Sequence, residues 1–174
     1  MTVTIAQINA ADATEAAALL DGIYEHSPWI AAAALAQRPF ADRAALASAL
    51  VHAVRAGGRD AQLALLRAHP RLAGKAMVAG TLTAESTHEQ RRSGLTRCSP
   101  EEFARLHDLN DAYDRRFGWP FILAVRGPTG LGLTRTEIIE TFAARLESSP
   151  DDEFDECLRN VHRIAEIRLA DRFG

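Results

Sequence analysis

Three segments of this chain begin with a hydroxyl residue followed, three positions later, by a carboxylate: Ser99-Pro100-Glu101-Glu102, Thr134 with Glu137, and Ser149-Pro150-Asp151-Asp152. The hydroxyl caps the first free N–H groups of a helix and the carboxylate reaches back to close the box. Proline at the first helical position of two of them fits as well, since its fixed φ suits a helix start and its missing N–H is not needed there. Behind Ser99, the residues Phe103, Leu106, Leu109, Tyr113 and Phe117 recur at helical spacing, and Gly118 with Pro120 ends the run. Further helices are predicted from Asp12 to near His26, from Ser27-Pro28, from Asp42 to Ala56 before Gly57-Gly58, and from Asp60 to Ala68. The last of these stops at His69-Pro70, because the residue before a proline is pushed out of the α region. The chain holds 33 Ala and 19 Leu against 6 Val and 9 Ile, a balance that favours helix over strand. Phe121-Ile122-Leu123-Ala124-Val125 is the one strand-like run, and one strand makes no sheet. The expectation is an all-α fold, a single compact domain of about eight helices over residues 1–174 with no linker dividing it.

Charge and cysteine content exclude several function classes. A net charge of −3 argues against a nucleic-acid partner, which calls for a basic face. No apolar run approaches the ~20 residues of a membrane-spanning helix, and the Met1-Thr2 start lacks a signal-peptide layout. Cys98 and Cys157 alone make no disulfide framework, so a reducing compartment is expected. Arg outnumbers Lys 19 to 1, which reads as the coding bias of a GC-rich genome. Of six histidines, His88 with Glu89 begins like a zinc-protease helix, but Arg92 stands where the second ligand belongs. No metal site is expected. Gly127-Pro128-Thr129-Gly130-Leu131-Gly132 lacks the lysine of a phosphate-binding loop and reads as a connection before the Thr134 helix.

Three local features carry possible chemistry. His69 stands at the end of a short helix, where the partial negative charge favours imidazolium, so it is either a proton donor or a simple C-terminal cap. Ser86-Thr87-His88-Glu89-Gln90 is either another capping box or, if Thr83 caps that helix, a polar face of Ser86, Glu89 and Gln90. In the last helix Phe154, Leu158, Val161 and Ala165 mark a buried stripe whose next position is Arg168, while Arg163 and Glu166 fall opposite. A guanidinium on a buried stripe needs an anion, either Glu89 or a substrate, unless its side chain snorkels from a fraying helix end.

These residues occur in a wider pattern: Ser27-Pro28-Trp29, Gln37-Arg38-Pro39-Phe40, His69-Pro70 with Leu72-Ala73-Gly74, Gly80-Thr81-Leu82-Thr83-Ala84-Glu85-Ser86 through Glu89-Gln90, Phe117-Gly118-Trp119-Pro120-Phe121, and residues 164–171. In that order, with sixteen residues between His69 and Ser86, the chain resembles the 2-oxo-4-hydroxy-4-carboxy-5-ureidoimidazoline (OHCU) decarboxylases of urate breakdown over nearly its whole length. Trp119 departs from the family's more frequent Phe, a change within aromatic packing. The resemblance implies an all-helical, cofactor-free, metal-free homodimer that converts OHCU to (S)-allantoin. It implies that His69 is the catalytic proton donor and that Glu89 and Arg168 are the charged pair that orients the substrate. It further implies substrate-binding stretches at Pro70, at Ser86, Thr87, His88, Glu89 and Gln90, and at Phe121, Ile122, Leu123, Ala124 and Val125. The Arg172-Phe173-Gly174 end lacks the peroxisomal tripeptide of animal relatives, and with the arginine bias this points to a bacterial cytoplasmic enzyme. Two other classes are carried alongside: a hydrolase of a related ureido or imidazolone compound using Ser86 and Glu89, and a non-enzymatic helical interaction module with an exposed apolar face.

Overall fold

The structure, a computed structural model, describes residues 2–73, 95, 98–126 and 132–173. The described residues form eight α-helices and no strand: α1 Ile5–Ala10, α2 Ala13–Leu19, α3 Pro28–Leu35, α4 Arg43–Ala56, α5 Gly58–Ala68, α6 Pro100–Phe117, α7 Arg135–Arg145 and α8 Pro150–Arg172. The helices group into two compact units, Met1–Ala68 with His162–Gly174, and His69–Val161. Helix α8 therefore gives its first half to the second unit and its second half to the first.

Most helix starts follow the sequence signals. Ser99 and Thr134 each close a full capping box, with Glu102 and Glu137 as the returning side chains. The hydroxyl of Ser149 accepts from the Asp152 N–H at 3.2 Å. Gly118 ends α6 at φ 79°, a left-handed conformation that glycine adopts without a Cβ clash. The box Thr4-x-x-Gln7 also closes fully and starts α1, a helix absent from the sequence expectation although its signal is present.

Two expectations are corrected, one on helix extent and one on burial. The Asp12 helix stops at Leu19 and does not run to His26. Gly22 turns the chain at φ 78°, His26 follows at φ 46°, and Arg172 donates to the carbonyls of Leu19 and Asp21. Phe103, expected on the buried stripe of α6, is 39% exposed, one turn before the burial begins at Leu106.

In the first unit α3 packs against α4, and Ile8, Ile30, Leu46, Leu50, Val54 and Leu66 are among its fully buried side chains. Arg38 ties helix ends together, donating to the carbonyls of Ile8 at 3.0 Å, Ala11 at 2.8 Å and Leu35 at 3.2 Å. Asn9 and Phe40 exchange two hydrogen bonds, of 2.8 and 2.9 Å. The Gln37-Arg38-Pro39-Phe40 motif is thus a clasp on α1. In the second unit α6 and α7 pack together around an aromatic cluster. Phe121 and Phe142 stack at 3.8 Å between centroids, and Tyr113 meets both edge-on at 5.5 and 5.7 Å.

Gly57 caps α4 in an ordinary helical conformation, yet a Cβ there would stand 2.9 Å from the Trp29 ring. Gly57→Ala is expected to cost about 1–3 kcal/mol by overpacking, read in urea unfolding, and most of it should vanish when Trp29→Leu removes the ring.

His162 on α8 shares a hydrogen bond with the Tyr24 hydroxyl through Nδ1, 2.8 Å away. Burial, reinforced by the Arg55 charge, lowers its pKa from 6.5 to about 4. The unfolded chain therefore binds the proton that the folded protein refuses between those two values. Folding stability should be full above pH 6.5 and decline as the pH falls from 6.5 towards 4. His162→Gln should flatten that part of the stability–pH curve, measured by denaturant midpoints across the range.

Candidate functional site

Arg168 lies on the inner face of α8, 4% exposed, as its stripe position predicts. The stripe itself is shifted: Phe154, Val161 and Ala165 are buried, but Cys157 takes the inward place expected for Leu158, which is half-buried. Arg163 and Glu166 pair with each other at 3.1 Å on the outer side. Arg168 does not snorkel. Its Nη1 donates to the Gly22 carbonyl at 2.8 Å and its Nη2 to Glu25 Oε1 at 3.1 Å. Both side chains of this ion pair are almost wholly buried, 3% and 1% exposed.

Glu25 was not singled out in the sequence, because nothing in its spacing marks it. The signal available was indirect: Gly22 breaks α2, and the turn that follows carries one carboxylate into the interior. Ser27 is expected to cap α3, but its hydroxyl turns back to the Glu25 carbonyl at 2.9 Å, while Pro28 starts the helix alone. His26 stands on the outer side with Nε2 3.9 Å from the other Glu25 oxygen.

The remaining described site residues fall in the second unit. His69 and Pro70 directly follow α5 and are half-buried. Residues 121–125 run without helix or strand between α6 and α7, with Phe121, Ile122, Ala124 and Val125 buried and Leu123 half-buried. Ser86, Thr87, His88, Glu89 and Gln90 lie outside the described residues.

A buried ionic cluster stands behind the 121–125 stretch. Arg145, the last residue of α7, donates through Nε and Nη2 to Glu153 Oε1 at 2.9 and 2.6 Å. Its Nη1 donates to the Ile122 carbonyl at 2.7 Å, and its guanidinium lies 4.5 Å above the centre of the Phe121 ring. Tyr113 donates to Glu153 Oε1 at 2.5 Å and stands 3.1 Å from Cys157 Sγ. Burial raises the Tyr113 phenol and the Cys157 thiol above their ordinary values, so both stay protonated at neutral pH. For Arg145 burial alone would lower the pKa, but the Glu153 hydrogen bond and the neighbouring groups reverse this and raise it. The cluster is therefore an Arg145–Glu153 ion pair with the neutral Tyr113 and Cys157 side chains around it. The Ala124 N–H donates to Asn160 Oδ1 at 3.0 Å, so this expected substrate donor is already engaged. Among the described residues no group of three His, Cys, Asp or Glu side chains converges as a metal site.

The family profile for OHCU decarboxylase matches residues 9–170. This chain belongs to the OHCU decarboxylase family. The mouse 2-oxo-4-hydroxy-4-carboxy-5-ureidoimidazoline decarboxylase is 38% identical over 97% of this chain and 92% of its own. A uric acid degradation bifunctional protein of Bacillus subtilis is also 38% identical over 97% of this chain, which spans only 32% of that longer protein. The crystal structure of an (S)-allantoin synthase superposes with a TM-score of 0.73 at 30% identity, covering 98% of this chain and 54% of that one. The mouse protein and the (S)-allantoin synthase thus match nearly the whole of this chain, and the chain spans about a third of the Bacillus subtilis protein and about half of the synthase.

Removing one partner of a buried ion pair strands the other charge, which is costlier than removing both. Glu25→Ala is expected to lose about 3–5 kcal/mol of unfolding free energy. Glu25→Leu combined with Arg168→Met should recover much of that loss, a double-mutant cycle read by urea denaturation.

Proposed function

We propose that the protein catalyses cofactor-independent decarboxylation of OHCU to (S)-allantoin in urate breakdown. The observation that carries this reading is the family match across residues 9–170, supported by 38% identity to the mouse decarboxylase over nearly the full length of both chains. The interaction-module alternative calls for an exposed apolar face, and among the described residues Phe103 is the sole exposed large apolar side chain.

The substrate's own chemistry explains why no cofactor is required. Breaking the bond to the carboxylate releases CO2 and leaves an electron pair on the ring carbon. That pair forms a C=C bond to the neighbouring carbon, and the π electrons of the adjacent C=N bond move onto nitrogen. The electron sink that other decarboxylases obtain from a cofactor is thus part of the substrate. The protein has to hold the ring, place the leaving carboxylate and deliver a proton to one face of the ureido-bearing carbon, which fixes the S configuration.

In this reading His69 is the proton donor, a role suited to an imidazolium beside a helix C-terminus. Glu89 and Arg168 orient the substrate and offset developing charge. Pro70, Ser86, Thr87, His88, Gln90 and residues 121–125 line the ring, with the Ala124 N–H committed to Asn160 rather than to substrate. The working assembly is a homodimer, as the resemblance implies.

The test is to generate OHCU from urate with the upstream enzymes and follow the circular dichroism of (S)-allantoin. Acceleration over the spontaneous reaction is expected, and a rate equal to the spontaneous one overturns the assignment. His69→Ala should lose about a hundredfold or more in kcat, the worth of a general acid. Its stability should change by at most ~1–2 kcal/mol, the helix-end contribution. Arg168→Lys keeps the charge but not the planar fork, and kcat/KM should fall about tenfold or more, the loss of a charged hydrogen bond. Full activity in either variant removes that residue from the site.

A further inference from the structure

The stretch 121–125 is gripped by side chains from two helices. From α7 comes Arg145 Nη1 onto the Ile122 carbonyl at 2.7 Å, and from α8 comes Asn160 Oδ1 onto the Ala124 N–H at 3.0 Å. The two bonded backbone groups belong to Ile122 and Ala124, so the hold falls on the residues either side of Leu123. Neither gripping group is loose. The Asn160 amide donates to the Glu156 carbonyl and to Glu156 Oε1, both at 3.0 Å. Arg145 is held by Glu153 and covers the Phe121 ring at 4.5 Å. Between the two gripped residues, Leu123 is half-buried while its neighbours are buried.

We infer that Asn160 and Arg145 are positioning residues for the reaction, which fix the backbone on either side of Leu123 so that the stretch meets the substrate ring in a set register. This inference rests on the reading of 121–125 as a substrate-binding stretch. A main-chain binding edge works only if it cannot rotate about its axis, because a small rotation turns every donor away from the ligand. Helices and sheets prevent that rotation by their own hydrogen bonds. This stretch is in neither: the Val125 carbonyl accepts from the Leu133 N–H at 2.7 Å, and the two side chains hold Ile122 and Ala124. They act through the backbone of 121–125 and need not touch substrate.

The decisive measurement separates KM from kcat with OHCU in the circular-dichroism assay. Asn160→Ala removes the acceptor for the Ala124 N–H. Its KM should rise about tenfold, the worth of one misplaced hydrogen bond in a buried setting, while kcat stays within about threefold. The pair Asn160→Asp with Glu156→Gln restores the acceptor and lets the new amide donate to the new carboxylate, so KM should return towards the wild-type value. A merely structural asparagine would lower the melting temperature of Asn160→Ala and leave KM unmoved, and that outcome overturns the inference. A folded double variant with KM as high as that of Asn160→Ala overturns it as well. If Asn160→Ala does not fold, Arg145→Lys decides in the same way: a raised KM supports the inference and an unchanged KM ends it. Wild-type protein that makes no (S)-allantoin overturns the functional reading and this inference together. Wild-type activity with unmoved KM values in the variants overturns the inference alone.

Discussion

The ion pair between Arg145 and Glu153 is the contact on which the second unit depends. Its two members sit at helix ends, Arg145 closing α7 and Glu153 in the first turn of α8. An acidic side chain in a first turn and a basic one in a last turn each suit the helix dipole, so the pair satisfies local preferences before any long-range contact forms. Burial then makes it obligatory. Glu153 is fully buried and Arg145 is 9% exposed, so neither charge retains enough water to stand alone. One guanidinium consequently joins α7, α8 and the irregular stretch at Ile122, with Tyr113 adding α6 through Glu153. The aromatic stack of Phe121 on Phe142 closes over it.

The first unit is tied by a second pair of the same kind, Arg168 with Glu25, again using α8 as one partner. The two pairs differ in what they hold. Arg145 braces a strand-like run, whereas Arg168 braces the turn between α2 and α3, through Gly22 and Glu25. An apolar pair of equal volume would give similar or greater stability at either place. What the ionic pairs add is direction, since a guanidinium donates its hydrogen bonds only in its plane and at fixed angles. A backbone segment bonded to it has one orientation rather than a range.

How much of this was legible in the sequence differs by kind of signal. Helix starts were readable because capping is local: Ser99 and Glu102, or Thr134 and Glu137, decide their bonds within four residues. The inward position of Arg168 was readable because helical period carries across a whole helix. Its partner was not, because Glu25 reaches Arg168 over 143 positions and through a turn that only Gly22 hints at. The end of α2 was misplaced for a related reason, as the carbonyls of Leu19 and Asp21 are held by Arg172 from the other end of the chain. Leu158 and Cys157 exchanged roles because a thiol beside Tyr113 and Glu153 fits an ionic core better than a branched aliphatic chain. Motif residues also divided in meaning. Arg38 and Trp29 belong to the family pattern yet do structural work, one clasping helix ends and the other filling the space over Gly57.

That division bears on what cofactor-free decarboxylation asks of a protein. With the electron sink in the substrate, the catalyst contributes position and fixed charge rather than a nucleophile or a metal. Polar groups contribute most when they need not reorganise as charge moves, and that requires them to be held before the substrate arrives. A small helical protein has few rigid non-helical segments to offer, since its backbone donors are mostly spent inside helices. An irregular stretch such as 121–125 keeps its backbone groups out of a helix ladder but would be soft if left alone. Buried side chains from α7 and α8 remove that softness while leaving the stretch outside any helix. The buried guanidinium of Arg145, with the Asn160 amide, is therefore the means by which a chain made of helices holds a non-helical stretch in one orientation.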